Sequence, residues 1–294
     1  MRILVLGRNG QVGGELQRSL APLGDVTALD RSAADLSRPE SLVDVVRDAR
    51  PDVIVNAAAY TAVDRAETER ALAFRVNAEA VGVLARCAAE RGAVFVHYST
   101  DYVFDGSGSR PWREDDPTGP LGAYGASKLA GEQAIAQGGC RHLILRTSWV
   151  YAARGHNFVR TMLRLAAERD ELRVVHDQFG APTSAALLAD VTAAAITRAA
   201  AGDAGVAGTF HVCPRGETTW NGVATAALRA AEARGVTLRC PPERVVAIPT
   251  SDFPTPARRP SNSRLCVDRI ERALGIALPD WHDLLPGVVA EIVR

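Results

Sequence analysis

The chain has 294 residues, 47% of them hydrophobic, and its 34 basic and 34 acidic residues give a formal net charge of +0. That length holds one large domain or two smaller ones with a sizeable core. The balanced charge, with no basic stretch interleaved with aromatics, excludes a nucleic-acid binder. No run approaches the roughly 18 apolar residues that span a bilayer, and the opening run Met1-Arg2-Ile3-Leu4-Val5-Leu6-Gly7 lacks the apolar region and cleavage site of a secretory leader. The five cysteines are scattered and form no CxxC pair. They predict reduced thiols in a cytoplasmic protein whose partners are neither membrane nor nucleic acid.

In chain order, the first half alternates apolar strands with amphipathic helices. Arg2–Leu6 reads as a strand, with a helix from about Gln11 to Leu20. Val26–Leu29 is a second strand, and a helix pattern starts near Pro39, after Ser37, a residue type that caps helices. Val53–Val55 is a third strand, followed by a long helix pattern from about Ala66 to Arg91 with a break in the middle. Val94–Tyr98, a helix from about Ala123 to Ala136, and Leu143–Arg146 complete this half. Alternation of this kind predicts an α/β fold, a Rossmann-like doubly wound parallel sheet with helices on both faces. Residues 1–150 then form a dinucleotide-binding domain. Residues 151–294 form a smaller region, mainly substrate-binding, from which some segments return to the Rossmann core. In it, helices near Phe158–Arg169, Leu187–Ala201, Trp220–Arg234, Asp268–Leu274 and Trp281–Ile292 alternate with short strands at Arg173–His176 and Thr209–Cys213. The four prolines from Pro249 to Pro260 mark an ordered loop.

Three motifs carry candidate chemistry. Gly7-Arg8-Asn9-Gly10-Gln11-Val12-Gly13 is a GxxGxxG directly after the first strand. Glycines there let a pyrophosphate approach a helix N-terminus, where free N–H groups and the helix dipole favour anions. Asp30, at the end of strand two, completes the fingerprint of a dinucleotide site. Asp35-Leu36 follows and is placed either beside the adenine or in a solvated turn. Tyr124-Gly125-Ala126-Ser127-Lys128 is a YxxxK, which puts a phenol and an ammonium on one helix face. The charge is expected to lower the phenol pKa from about 10 and ease proton transfer. A surface pair would look the same. The functional reading draws on Ser99-Thr100-Asp101, which ends strand four on the side where open parallel sheets bind ligands. Asn56-Ala57-Ala58-Ala59-Tyr60-Thr61, after strand three, supplies small residues against which a cofactor can lie.

Together these motifs resemble the extended short-chain dehydrogenase/reductase superfamily. Longer blocks resemble one family within it, the dTDP-4-dehydrorhamnose reductases. These are Asn56 to Asp64, Ser99 to Gly106, Arg146 to Tyr151, Asp177 to Thr183, and Pro254 to Ser263, so the resemblance covers essentially the whole chain. It implies NADPH or NADH as cofactor and a dTDP-sugar as substrate, with reduction of the C4 keto group of dTDP-4-dehydro-6-deoxy-L-mannose to dTDP-L-rhamnose. It implies Tyr124 as proton donor, Lys128 as its partner and holder of the nicotinamide ribose, and Thr100 as hydrogen-bond donor to the substrate carbonyl. Gly10, Gln11, Val12, Asp30, Asp35, Leu36, Ala59, Tyr60 and Thr61 would contact cofactor. Asp101, Tyr102 and Trp149 would lie in the sugar pocket, and Arg259 would meet the diphosphate. Members of this family can also form a homodimer bridged by Mg2+ through glutamates. Glu15 and Glu291 match such metal-binding positions, but Ala186 replaces the acid expected before Leu187, leaving the bridge short of an oxygen donor. A reductase or epimerase acting on another 4-keto sugar has the same motifs. The rival from a different class is a non-catalytic subunit similar to the regulatory subunit of methionine adenosyltransferase, against which the retention of Thr100, Tyr124 and Lys128 together argues.

Overall fold

The computed structural model describes residues 1–294. In chain order, β1 (Arg2–Leu6), α1 (Gln11–Leu20), β2 (Asp25–Leu29), α2 (Leu42–Ala49) and β3 (Val53–Asn56) form the first winding. Ser37 caps no helix. Its N–H and hydroxyl both turn back onto the Asp35 carboxylate, and a single 3-10 turn at Pro39–Ser41 leads into α2. An aspartate two residues upstream captures a serine in this way and outcompetes helix capping. The expected long helix with a break is four pieces: α3 (Val63–Ala66), α4 (Arg70–Phe74), one π turn at Arg75–Glu79, and α5 (Ala80–Arg91). β4 (Val94–Thr100), α6 (Ala123–Gln137) and β5 (His142–Thr147) follow.

Beyond β5 come β6 (Val150–Tyr151), α7 (Phe158–Glu168), β7 (Leu172–Val175), β8 (Phe179–Gly180), β9 (Thr183–Ser184) and α8 (Ala185–Ala200). β10 (Gly208–His211), β11 (Thr218–Thr219), α9 (Trp220–Glu232), β12 (Val245–Ile248), α10 (Asp268–Leu274) and α11 (Trp281–Ile292) complete the chain. The main sheet has six parallel strands in the order β10-β5-β4-β3-β1-β2. Its central strands are buried along nearly their whole length, as strands covered on both faces must be. One core joins α1, α8 and α10 to one face; a second joins α2 and α5 to the other. A third, separate core, built on Tyr151, Leu163, Val223, Leu228 and Trp281, holds α7, α9 and α11 together. α8, β10 and α10 thus belong to the main sheet's body, although they lie late in the sequence. Strand order reverses at β1 and β3, so a crevice opens beyond their carboxyl ends.

Four of the five cysteines are buried, the fifth is half-buried, and all are free. No helix is long and apolar enough to cross a membrane.

Candidate active site

Two clefts open at the carboxyl edge of the sheet, and Tyr124 lines both. The first, of about 660 Å³, runs from the glycine turn past Asp35, Leu36 and the Ala57–Thr61 segment to Lys128. The second, of about 920 Å³, is lined by Thr100, Asp101, Tyr102, Trp149 and Arg259. Ser99 and Thr147 also line both, and their hydroxyls are buried without a protein partner, as is Asp101 Oδ2. Buried polar atoms are rarely left alone. Unpaired hydroxyls where the two clefts meet fit a polar ligand group there.

The glycine turn is built by close approach. Gly7 has φ +89° and lies against Ala57 and Ala58, so that a Cβ would come within 2.8 Å of the Ala58 nitrogen. A Cβ on Gly13 would fall 2.0 Å from the Gly7 carbonyl oxygen. Gly13 therefore acts by packing and does not itself line the cleft, whereas Gly10, Gln11 and Val12 do. Gly10 caps α1 with extended backbone and no side-chain hydrogen bond, which leaves the first N–H groups of the helix available to an anion. Gln11 is held in place by Asn157, whose Nδ2 donates to Gln11 Oε1 at 2.9 Å. These features fit a dinucleotide.

At the far end, Arg31, Asp35 and Leu36 line the cleft and Asp30 does not. The Asp30 carboxylate accepts from the Ser32 N–H and hydroxyl and from Asn9, which hold its pKa below the usual carboxylate value. Along the side, Tyr60 is fixed by the π turn. Its N–H donates to Asn77 Oδ1 at 2.8 Å, Asn77 Nδ2 returns a bond to its carbonyl, and its hydroxyl donates to Glu69 at 2.6 Å.

Lys128 lies on α6 with 2% exposure. Its Nζ donates to the Tyr98 carbonyl at 2.6 Å and sits 3.0 Å from His97 Nε2. Burial lowers its pKa to about 8, against a smaller opposing effect of Glu132. The sequence expectation for Tyr124 is reversed. Burial pushes its phenol well above the usual value, the Asp101 charge adds to this, and Thr100 opposes it. The lysine is turned into the sheet toward Tyr98 and His97, so desolvation wins over its charge. A phenol so placed keeps its proton at neutral pH.

In the second cleft, Thr100 Oγ1 donates to Asp101 Oδ1 at 3.1 Å and accepts from the Tyr102 N–H. Burial raises the Asp101 pKa to about 6, with Ser263 and Thr100 opposing. Tyr102 meets the Tyr124 ring edge-on, with centroids 5.5 Å apart. Arg259 lies at the cleft wall but is engaged: Nη2 reaches Asp64 Oδ2 at 2.7 Å and Nη1 approaches the Tyr102 hydroxyl at 3.4 Å. Trp149 has the left-handed φ of +51°, rare for a bulky residue, and stacks on Trp220 at 3.9 Å. Trp220, Phe158 and Gln178 share this cleft and escape sequence reasoning. Trp220 opens a helix and Phe158 begins another, so periodicity assigns both to core. Gln178 lies inside the Asp177–Thr183 block, and that position was the available signal.

Glu15 and Glu291 do not form a metal cluster, and no group of three or more His, Cys, Asp or Glu in the chain is placed to hold a metal ion. Glu15 is paired with Arg18 and Arg154, and Glu291 is exposed on α11.

The family model described as RmlD substrate binding domain matches residues 1–294. The chain is 55% identical over 285 residues to a dTDP-4-dehydrorhamnose reductase of Burkholderia thailandensis, covering 96% of each chain. It is 52% identical over 286 residues to that of Escherichia coli K12, covering 96% of this chain and 95% of the relative. Among solved structures, it is similar to a dTDP-4-dehydrorhamnose reductase of Clostridium acetobutylicum, with TM-score 0.91, 34% identity and full coverage of both chains. It is also similar to a Bacillus anthracis dTDP-4-dehydrorhamnose reductase in complex with NADP, with TM-score 0.89, 34% identity and 99% coverage of both. A glycine turn that fits a dinucleotide, a tyrosine at the junction of two clefts, and full-length likeness to these enzymes place the chain in the dTDP-4-dehydrorhamnose reductase family.

Proposed function

We propose that the chain reduces the C4 keto group of dTDP-4-dehydro-6-deoxy-L-mannose to dTDP-L-rhamnose, using NADPH or NADH. The observation that carries this reading is the position of Tyr124, which borders the glycine-turn cleft on one side and the Thr100–Asp101 cleft on the other. Gly10, Gln11, Val12, Asp35, Leu36, Ala59, Tyr60 and Thr61 would hold the cofactor, and Lys128 would take its ribose. When bound, the nicotinamide supplies the hydride for C4. Tyr124 gives its proton to the oxygen at C4, for which its raised pKa keeps it protonated in advance. Thr100 turns its hydroxyl from Asp101 to the same oxygen, where charge develops mainly in the transition state. Asp101, Tyr102 and Trp149 surround the sugar, and Arg259 meets the diphosphate.

The test is a coupled assay with dTDP-4-keto-6-deoxyglucose, a 3,5-epimerase and NAD(P)H, with the product identified by NMR. Stoichiometric cofactor oxidation with formation of dTDP-L-rhamnose is expected. Turnover without net oxidation would indicate an epimerase, and no turnover a binding subunit. A cytoplasmic homodimer belongs to the same reading. Because Arg18 and Arg154 already neutralise Glu15, the dimer should persist in EDTA, as light scattering would report.

A further inference from the structure

Trp149 lies between β5 and β6 with a backbone that a glycine would adopt without strain, φ +51°. Both sides of this turn are pinned to the segment around β9. Ser148 Oγ donates to the Ala181 carbonyl at 3.2 Å, and the Thr183 N–H donates to the Trp149 carbonyl at 3.2 Å. A bulky residue stays in such a conformation where its surroundings over-determine it, and these places cluster at ligand sites. The indole is fixed as tightly as its backbone. It stacks on Trp220 with centroids 3.9 Å apart and planes 20° from parallel. Gly180 closes on it as well, since a Cβ there would come within 3.0 Å of Cε2 and Cζ2. The Trp149 Nε1–H donates to no group of the chain, and the residue lines the Thr100–Asp101 cleft.

Trp220, the first residue of α9, is held in turn. Phe158 packs on it with centroids 4.6 Å apart, and both rings rest on the third core. Its Nε1–H donates to Gln178 Oε1 at 3.1 Å, and Gln178 is 7% exposed. Gln178 Nε2 donates to Thr250 Oγ1 at 3.0 Å, and that hydroxyl donates to Asp177 Oδ1 at 2.6 Å. Every donor in this relay faces an acceptor, so neither the Gln178 amide nor the Trp220 ring can turn without breaking a bond. The relay joins α9 and the start of the proline-rich loop to the indole that walls the cleft.

We propose that Trp220 and Gln178 are positioning residues for Trp149: they hold its indole, with the free N–H, against the sugar, so that the cleft favours a sugar-bearing nucleotide over the bare nucleotide. The proposal rests on the reading of Trp149 as a sugar-pocket residue. Trp220 acts through the indole it stacks on, and its own removal should therefore cost nothing once that indole is gone.

The test uses binding, not turnover. Calorimetric titration with dTDP and with dTDP-L-rhamnose, each with NADPH bound, gives two affinities from complexes that cannot react. Trp220→Leu should weaken dTDP-L-rhamnose by about tenfold, the worth of one well-aimed hydrogen bond, and dTDP by less than about twofold. Trp220→Phe keeps a ring to stack and should restore most of the loss. In a Trp149→Ala background, Trp220→Leu should add nothing. Equal loss for both ligands would show a purely structural role, and an additive loss in the double variant would show that Trp220 meets the ligand itself; either overturns the proposal. If Trp149→Ala alone keeps the wild-type ratio of the two affinities, the sugar does not lie against Trp149, and the underlying reading fails together with the proposal. Gln178→Leu loosens the Trp220 ring without removing it and should show the same selective loss. If Trp220→Leu does not fold, Gln178→Leu decides, and an unchanged ratio in it overturns the proposal.

Discussion

Arg259 and Asp64, 195 positions apart in sequence, are joined at 2.7 Å across the mouth of the Thr100–Asp101 cleft. Asp64 also accepts the Ala257 N–H, so it orders the proline-rich segment as well as the guanidinium. With Arg259 aimed in this way, Arg259→Ala should raise KM for the dTDP-sugar by about 10–100-fold, the worth of one charge-assisted hydrogen bond of roughly 1.5–3 kcal/mol. Its kcat should change little. Steady-state kinetics check this, and an unchanged KM would reduce Arg259 to a loop anchor.

Tyr124→Phe should lower kcat by about 10²–10⁴-fold, the usual share of a general acid. Cofactor affinity, followed by fluorescence titration, should be kept, since the ring remains. Thr100→Val removes one hydrogen bond to the developing alkoxide and should cost kcat less than Tyr124→Phe does. If only KM rises in Thr100→Val, Thr100 holds ground state and transition state alike.

Asp101 links the site to stability. Its pKa in the fold is about 6, above its ordinary value, because burial penalises the charge. A raised carboxylate favours the folded state while protonated, at low pH, and that advantage is lost as pH rises toward 6. Asp101→Asn cannot ionise. It should therefore melt at the same temperature as the wild type near pH 4, and a few degrees higher above pH 6, while losing kcat/KM. Melting curves across that range decide it. A gain that does not grow with pH would remove ionisation as the cause.

Cofactor choice rests on opposed neighbours. Asp30 is held by Ser32 and Asn9 at the rim, while Arg31 lines the cleft with its guanidinium 3.5 Å from Asp35. A carboxylate disfavours a 2′-phosphate and a guanidinium favours it, each by roughly 1.5–3 kcal/mol, so the preference between NADH and NADPH should stay below about a hundredfold. Arg31→Ala should shift it toward NADH. Comparing kcat/KM for both cofactors tests the balance, and a preference above about a thousandfold would show that one group dominates.

Much of the site is legible in sequence because its chemistry is tied to backbone rules. Gly7 and Gly13 fall where only glycine fits, and Tyr124 and Lys128 share a helix face that any YxxxK dictates. What escaped depends on tertiary contact. β12 is missed because only Ile248 of its four residues is buried, so no alternation marks it. Asp30 is tied to Ser32 and Asn9 at the rim of the cleft, local bonds that spacing does not express. The sign of the Tyr124 shift depends on burial, which a motif cannot reveal.

The segment from Thr255 to Leu265 walls the Thr100–Asp101 cleft on one side. It pins Arg259 to Asp64, ties Asn262 to the Ser107 and Arg110 carbonyls, and bridges Leu265 to Trp112. During synthesis, the strands that carry the glycine turn and Tyr124 emerge long before it, and their parallel sheet can begin to assemble as domains do from the N-terminal side. The nucleotide crevice can therefore exist on a nascent chain that has no sugar pocket. Reductase activity waits for about the last seventh of translation, which brings Arg259 to the cleft wall and adds α10 and α11 to their cores.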